Sequence, residues 1–366
     1  MFDYNKFDNS SDEGEKEPYP DFFLIWDEAI NKGESPGYFD VEDLCSIIEI
    51  YLTDGEIAKA KQAIDYSLKL YPGNDELIYE VLLLLNDFEL WNDLLTLSER
   101  FKDMSEVWAD GHKVTALLHL GMEEDAFHFF KRLKSKYSDN KENLSIVYQA
   151  MGEALHEVDL FDASINVIDE AISLIGEDVD FYWLQLQSYL SLEVNEKVNQ
   201  LALKIQKLNP LNAETWYRLG NVYKEIDETE KSIEAFEFAQ SLGYKDSNNL
   251  INLIYAYEKN GNFNKALEKA KEYLLLYPDS YVVNLIAANV CDQMERWDDA
   301  LKYVENAIEI IPTMESLYLY KSNFLLKLGE QRKAILALEE GIKKTQDTQG
   351  ELTKELERLQ KLYPNY

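Results

Sequence analysis

The chain has 366 residues, 69 of them acidic against 36 Lys and Arg, and a formal charge of -33 at pH 7. Such a field repels nucleic-acid phosphates and anionic membrane surfaces, so neither is an expected partner, and a basic partner is favoured. Cys45 and Cys291 lie far apart without metal-type spacing, which points to reduced thiols and a cytoplasmic protein.

Residues 1–18 carry six acids and few apolar side chains, a composition expected to be disordered. They lack the basic start and apolar core of a signal peptide. The run FFLIW at 22–26 is far too short to span a membrane. It opens a short helix from Asp21 to about Lys32, in which Phe22, Phe23, Ile25, Trp26 and Ile30 leave little polar face. Residues 19–40 are therefore expected to form a capping helix and loop, covering the apolar end of the array that follows. Gly33, Pro36 and Gly37 break the chain, and Asp40 is placed to cap the next helix.

From Val41 onward the sequence repeats. Blocks start at Val41, Asp75, Val107, Ser145, Val179, Ala213, Ser247, Tyr281 and Glu315, nine blocks over 41–348. Each holds two helical patterns of about 14 residues joined by short turns such as Asn260-Gly261-Asn262 and Leu328-Gly329-Glu330. Small residues recur at fixed places: Gly152 and Gly220 at the eighth position, Ala60, Ala126, Ser164, Ser232 and Ala266 at the twentieth, Ala171 and Ala239 at the twenty-seventh. A Gly inside a helix costs about 1 kcal/mol against Ala. Gly220 is therefore expected where a partner helix comes close, next to the small Ser232 and Ala239. Pro72, Pro210, Pro278 and Pro312 fall past the second helix, where they break no hydrogen-bond ladder.

The blocks at Asp75 and Val107 depart from this pattern. They hold Leu82 and Val114 at the eighth position and lack the Pro, and four extra residues, Lys141 to Leu144, follow the second of them. Local distortion is expected there. At the far end Gly350 precedes a helix whose Leu352, Leu356, Leu359 and Leu362 form one stripe, a closing cap over 349–366.

A 34-residue helix–turn–helix with aromatic–xx–Leu–Gly–xx–Tyr, then Ala, Phe, Ala and Pro, resembles the tetratricopeptide repeat (TPR) family, and the whole is similar to bacterial proteins with many such repeats. The resemblance implies an all-α, right-handed superhelix of nine helix pairs with helical caps. It also implies a non-enzymatic scaffold or adaptor that binds a peptide or protein on its concave side, lined by the first helix of each pair.

No P-loop, G-x-S-x-G, H-E-x-x-H or G-x-G-x-x-G occurs, and no cofactor is expected. His119 and His156, with Glu153 and Glu157, sit at neighbouring places in adjacent blocks, but without a tight His pair no metal site is expected. The resemblance places groove residues at positions 2, 5, 9, 12 and 13. There the candidates are Tyr79, Trp108, Gln149, Trp183, Gln187, Tyr217, Asn221, Tyr255, Asn289 and Asn323. Aromatics offer flat apolar surface, and amides both donate to and accept from an extended backbone. The alternative for the aromatics is core packing. Across the five positions eleven acids stand against three bases, close to the balance of the whole chain, which disfavours a basic clamp for a C-terminal carboxylate. The competing functional reading is an acidic chaperone or assembly factor shielding a basic client.

Overall fold

The computed structural model describes residues 19–101, 107–347 and 349–364; the acidic stretch 1–18 lies outside the described residues. Among the described residues there are twenty α-helices and no strand. The first, α1, is Asp21–Lys32, and the last, α20, is Glu351–Leu362. Between them the helices come in pairs: α2 (Val41–Thr53) with α3 (Ile57–Leu70), α4 (Asp75–Asp87) with α5 (Trp91–Arg100), α6 (Val107–His119) with α7 (Glu123–Lys136), and α8 (Lys141–Glu157) with α9 (Phe161–Leu174). The series continues with α10 (Val179–Ser191) and α11 (Asn195–Leu208), α12 (Ala213–Glu225) and α13 (Thr229–Ser241), α14 (Ser247–Lys259) and α15 (Phe263–Leu276). It ends with α16 (Tyr281–Gln293) and α17 (Trp297–Ile310), then α18 (Glu315–Lys327) and α19 (Gln331–Thr345). The chain divides into two compact bodies, one ending at Leu208 and one beginning at Asn209.

Each pair is joined by three residues, and the middle one always takes a left-handed backbone. In four turns it is Gly: Gly55, Gly121, Gly261 and Gly329. In five it is an acid: Glu89, Asp159, Glu193, Asp227 and Glu295. The next amide bonds the carbonyl five residues back, as Val194 N–H does to Tyr189 O at 2.9 Å, satisfying a carbonyl at the helix end. Side chains of Asp40, Asn74, Asn212 and Ser280 accept from the amide three residues on and cap α2, α4, α12 and α16. Pro72, Pro210, Pro278 and Pro312 each stand two residues past a second helix.

Packing within a pair turns on the glycines, as expected. A Cβ on Gly220 would lie 2.4 Å from the ring of Phe236 on the partner helix. Ser232 plays a different part: its hydroxyl donates to the Gly220 carbonyl at 2.9 Å. The same pairing recurs in the α8–α9 pair, where Ser164 Oγ donates to Gly152 O at 2.7 Å and a Cβ would meet Ile168 Cδ1 at 2.6 Å. A bare Cα thus admits a large side chain from the second helix, and the small hydroxyl beside it anchors the first helix's carbonyl. Two of these prolines accept from the first helix that follows them in the chain. Trp216 Nε1 donates to Pro210 O and Tyr318 Oη to Pro312 O, each at 2.9 Å.

From α4 to α8 the pattern changes. Leu82 and Leu94 fill the places of the small residues and are fully buried. The four extra residues are not a linker: they form the first turn of α8, capped by Asn140, and make it 17 residues long. The close approach moves too. Gly111 of α6 faces Ala150 of α8, where an added Cβ would stand 3.2 Å from Ala150 Cβ. Helix α6 packs more closely on α8 than on its own partner α7.

At the ends, Phe23 and Trp26 of α1 are buried, with Trp26 meeting Phe39 and Tyr66 edge-on at 5.5 and 5.1 Å. Leu24 and Ile25 are exposed, so the FFLIW run buries only part of its apolar surface, contrary to the expectation for Ile25. On α20, Leu352 and Leu359 are buried and Leu356 packs beside them, but Leu362 at the end of the stripe is exposed.

Candidate functional site

The first helices α4, α6 and α8 enclose a cleft of about 290 Å³. One wall is Trp108, Gly111, His112 and Thr115 of α6; the other is Ile146, Gln149, Ala150, Glu153 and Glu157 of α8; Asn86 of α4 closes an end. The cleft exists because α6 and α8 touch at Gly111 and Ala150: small side chains there leave a floor, and the longer ones around them rise as walls.

Two sequence candidates, Trp108 and Gln149, line this cleft. Tyr79 stands perpendicular to Trp108 with ring centres 5.1 Å apart and is partly exposed. Gln149 Nε2 donates to Glu153 Oε1 at 3.2 Å. Glu153 is exposed, yet the protein around its carboxyl desolvates it in part. That desolvation raises its pKa; the Gln149 hydrogen bond opposes, and the charges of Glu157 and Asp180 push it further up. Burial lowers the His112 pKa, against the pull of Asp87. His119 stacks on Trp91 at 3.9 Å and its Nε2 lies 3.0 Å from Glu157 Oε2.

The other candidates are placed differently. Trp183 is 5% exposed and belongs to the packed interior of α10, while Gln187 on the same helix is exposed. In the C-terminal body Tyr217 is half-buried and stacks on Tyr244 at 4.5 Å, and Tyr255 is half-buried against the core. The asparagines do not present free amides in a row. Asn221 Nδ2 donates to Tyr217 O at 3.2 Å, and its carbonyl accepts from Asn252 Nδ2 at 3.2 Å. Asn252 in turn accepts from Lys224 Nζ at 3.0 Å. Asn289 is 5% exposed and donates to Glu258, whose carboxyl is pushed up by desolvation against that hydrogen bond. Asn323 is exposed.

Asn252, at the sixth position of its repeat, was outside the reading of the groove, and Gly111 was missed because it stands at the fifth position instead of the eighth. A helical Gly out of register is a signal the sequence did carry: it marks a close approach by a different neighbour.

Among the described residues no group of three His, Cys, Asp or Glu could hold a metal ion, and no helix is long and apolar enough to cross a membrane. His156 Nδ1 sits 3.1 Å from Ser188 Oγ, but Ser188 is fully buried, so this pair ties α8 to α10. Cys45 and Cys291 are free thiols, both pushed up to about 11 by burial.

Comparison with known proteins gives a family and several likenesses. The sequence model of the tetratricopeptide repeat matches residues 213–242, the α12–α13 pair. No curated protein sequence matches the chain. Among solved structures it is similar to a tetratricopeptide repeat protein from Parabacteroides merdae, at 15% identity and a TM-score of 0.41, over 75% of this chain and 99% of that one. It is similar also to pilF of Pseudomonas aeruginosa, at 13% identity and a TM-score of 0.40, over 62% of this chain and 95% of that one. A MamA structure from Desulfovibrio magneticus shares 10% identity at a TM-score of 0.40, over 47% of this chain and 97% of that one. The matched pair, a tetratricopeptide repeat, has neighbours in strict register, with first helices beginning at Val179, Ala213, Ser247, Tyr281 and Glu315, 34 residues apart.

Proposed function

We propose that the chain is a non-enzymatic, cytoplasmic scaffold that holds a peptide or extended protein segment on the first-helix face of α4, α6 and α8. The observation that carries this reading is the cleft of about 290 Å³, walled by Trp108 and Gln149 and extended by the partly exposed Tyr79. An aromatic anchor beside amides and incompletely solvated carboxyls is what a bound segment exploits. The asparagine stripe of the C-terminal body is a weaker candidate, since Asn221 and Asn289 already spend their amides on neighbours. Helices α1 and α20 act as caps in this reading, burying Trp26 and Leu359 over the apolar faces of the repeats beside them.

The test is capture of bound partner from lysate by three folded proteins. Trp108→Ala combined with Gln149→Ala should weaken capture at least tenfold, about 1.4 kcal/mol. Asn221→Ala with Asn289→Ala and Asn323→Ala should leave it near wild type. The reverse pattern would move the site to the C-terminal body. Capture that ignores both sets yet collapses with added salt would favour an acidic shield for a basic client.

A further inference from the structure

The cleft between α6 and α8 has a one-sided charge. Its lining contains two carboxylates, Glu153 and Glu157, and no Lys or Arg. His112 also faces the cleft, and burial disfavours its charged form. Asp87 and Asp180 stand close enough to add to the negative field. Outside the cleft three acids of these helices have lysine partners: Asp110 has Lys136, Glu99 has Lys113 and Glu170 has Lys134. Glu157 shares His119, whereas Glu153 receives the Gln149 amide at 3.2 Å. The Trp108 indole lines the same cleft, and an indole face attracts cations.

We infer that this cleft takes the guanidinium of an arginine in the bound segment, stacked against Trp108 and paired with Glu153. The inference rests on the peptide-binding reading above and adds the side chain it selects. A guanidinium fits better than an ammonium: it is planar, stacks on an aromatic face, and meets a carboxylate with two parallel hydrogen bonds. It is also less strongly hydrated, so leaving water for the cleft costs it less. The Gln149 carbonyl is left free by the amide's bond to Glu153 and can accept from a remaining guanidinium N–H.

The experiment titrates the full chain with N-acetyl-arginine amide and follows the indole N–H signals by nuclear magnetic resonance, Trp108 being assigned from Trp108→Phe. The expected result is a saturable shift of the Trp108 signal. Glu153→Gln should raise the dissociation constant at least tenfold, whereas Glu123→Gln, an exposed acid on α7, should leave it unchanged at the same net charge. The citrulline analogue, equal in shape but neutral, should give no shift. Equal shifts across all six tryptophans would overturn the inference, as would equal effects of the two Glu variants or equal binding of citrulline. If partner capture still depends on Trp108 while arginine binding fails these criteria, the peptide site stands and its arginine selectivity falls.

Discussion

Two regions solve the same packing problem differently. In the α12–α13 pair the bare Cα of Gly220 lets Phe236 of the second helix press onto the first, and Ser232 locks the Gly220 carbonyl. In the α4–α5 pair Leu82 and Leu94 fill the small places, and in α6 the bare Cα, at Gly111, faces the neighbouring first helix instead. The regular pair gives a tight hairpin whose first-helix polar groups bond one another. The irregular stretch draws α6 against α8 and leaves a cleft above the contact. Where a repeat keeps its pattern it serves stability; where it departs, it makes room.

The sharpest way to break this comparison is to refill the glycines. Gly220→Leu should destabilise by about 3 kcal/mol, because the Phe236 ring is fully buried and has nowhere to go. Denaturant unfolding would read this, and a change within about 0.5 kcal/mol would contradict the packing described. Gly220→Ala should also destabilise, although Ala favours a helix. Gly152→Ala should cost less, since the obstructing atom is the flexible tip of Ile168. Ser232→Ala is next: it leaves the buried Gly220 carbonyl without that donor and should cost about 1 kcal/mol. A similar loss at Ser164→Ala would show that the Ser–Gly pairing is a shared device.

A smaller effect of opposite sign is expected in the turns. Glu193 has φ 57°, a conformation that favours Gly, so Glu193→Gly should stabilise by about 0.5 kcal/mol. The same change at an exposed helical position should destabilise. The smallest effect concerns pH. His112 is held below its ordinary pKa of about 6.5 by burial, so between the two values the unfolded chain binds more protons than the folded one. Its contribution is complete above the unfolded value and is lost as pH falls through the window beneath it. Thermal melts at pH 7.5 and 5.5 should therefore differ less in His112→Gln than in wild type; an unchanged difference would place His112 in a more solvated setting than the cleft gives it.

Much of this was legible in the sequence. The repeat phase located the first helices at Val41, Asp75, Val107 and from Val179 onward, because one period sets turn, cap and proline together. The start of α8 at Lys141 was not legible, since an added helical turn and an added loop have the same length in sequence. The site was less readable than the fold. Position within a repeat selected Trp108 and Gln149, which line the cleft, but also Trp183, which is buried. It selected Asn221 without showing that Asn252, from the next repeat, occupies its carbonyl. Aligning repeats on themselves describes one hairpin, whereas a binding surface depends on what adjacent hairpins do to each other.

The most direct test of the central claim is hydrogen exchange across the full chain, alone and with its captured partner bound. The account predicts that added protection concentrates in peptides from 107–119 and 141–157, the two walls of the cleft, with 213–225, 281–293 and 315–327 unchanged. Protection confined to those three C-terminal segments, with the cleft helices exchanging as before, would contradict it.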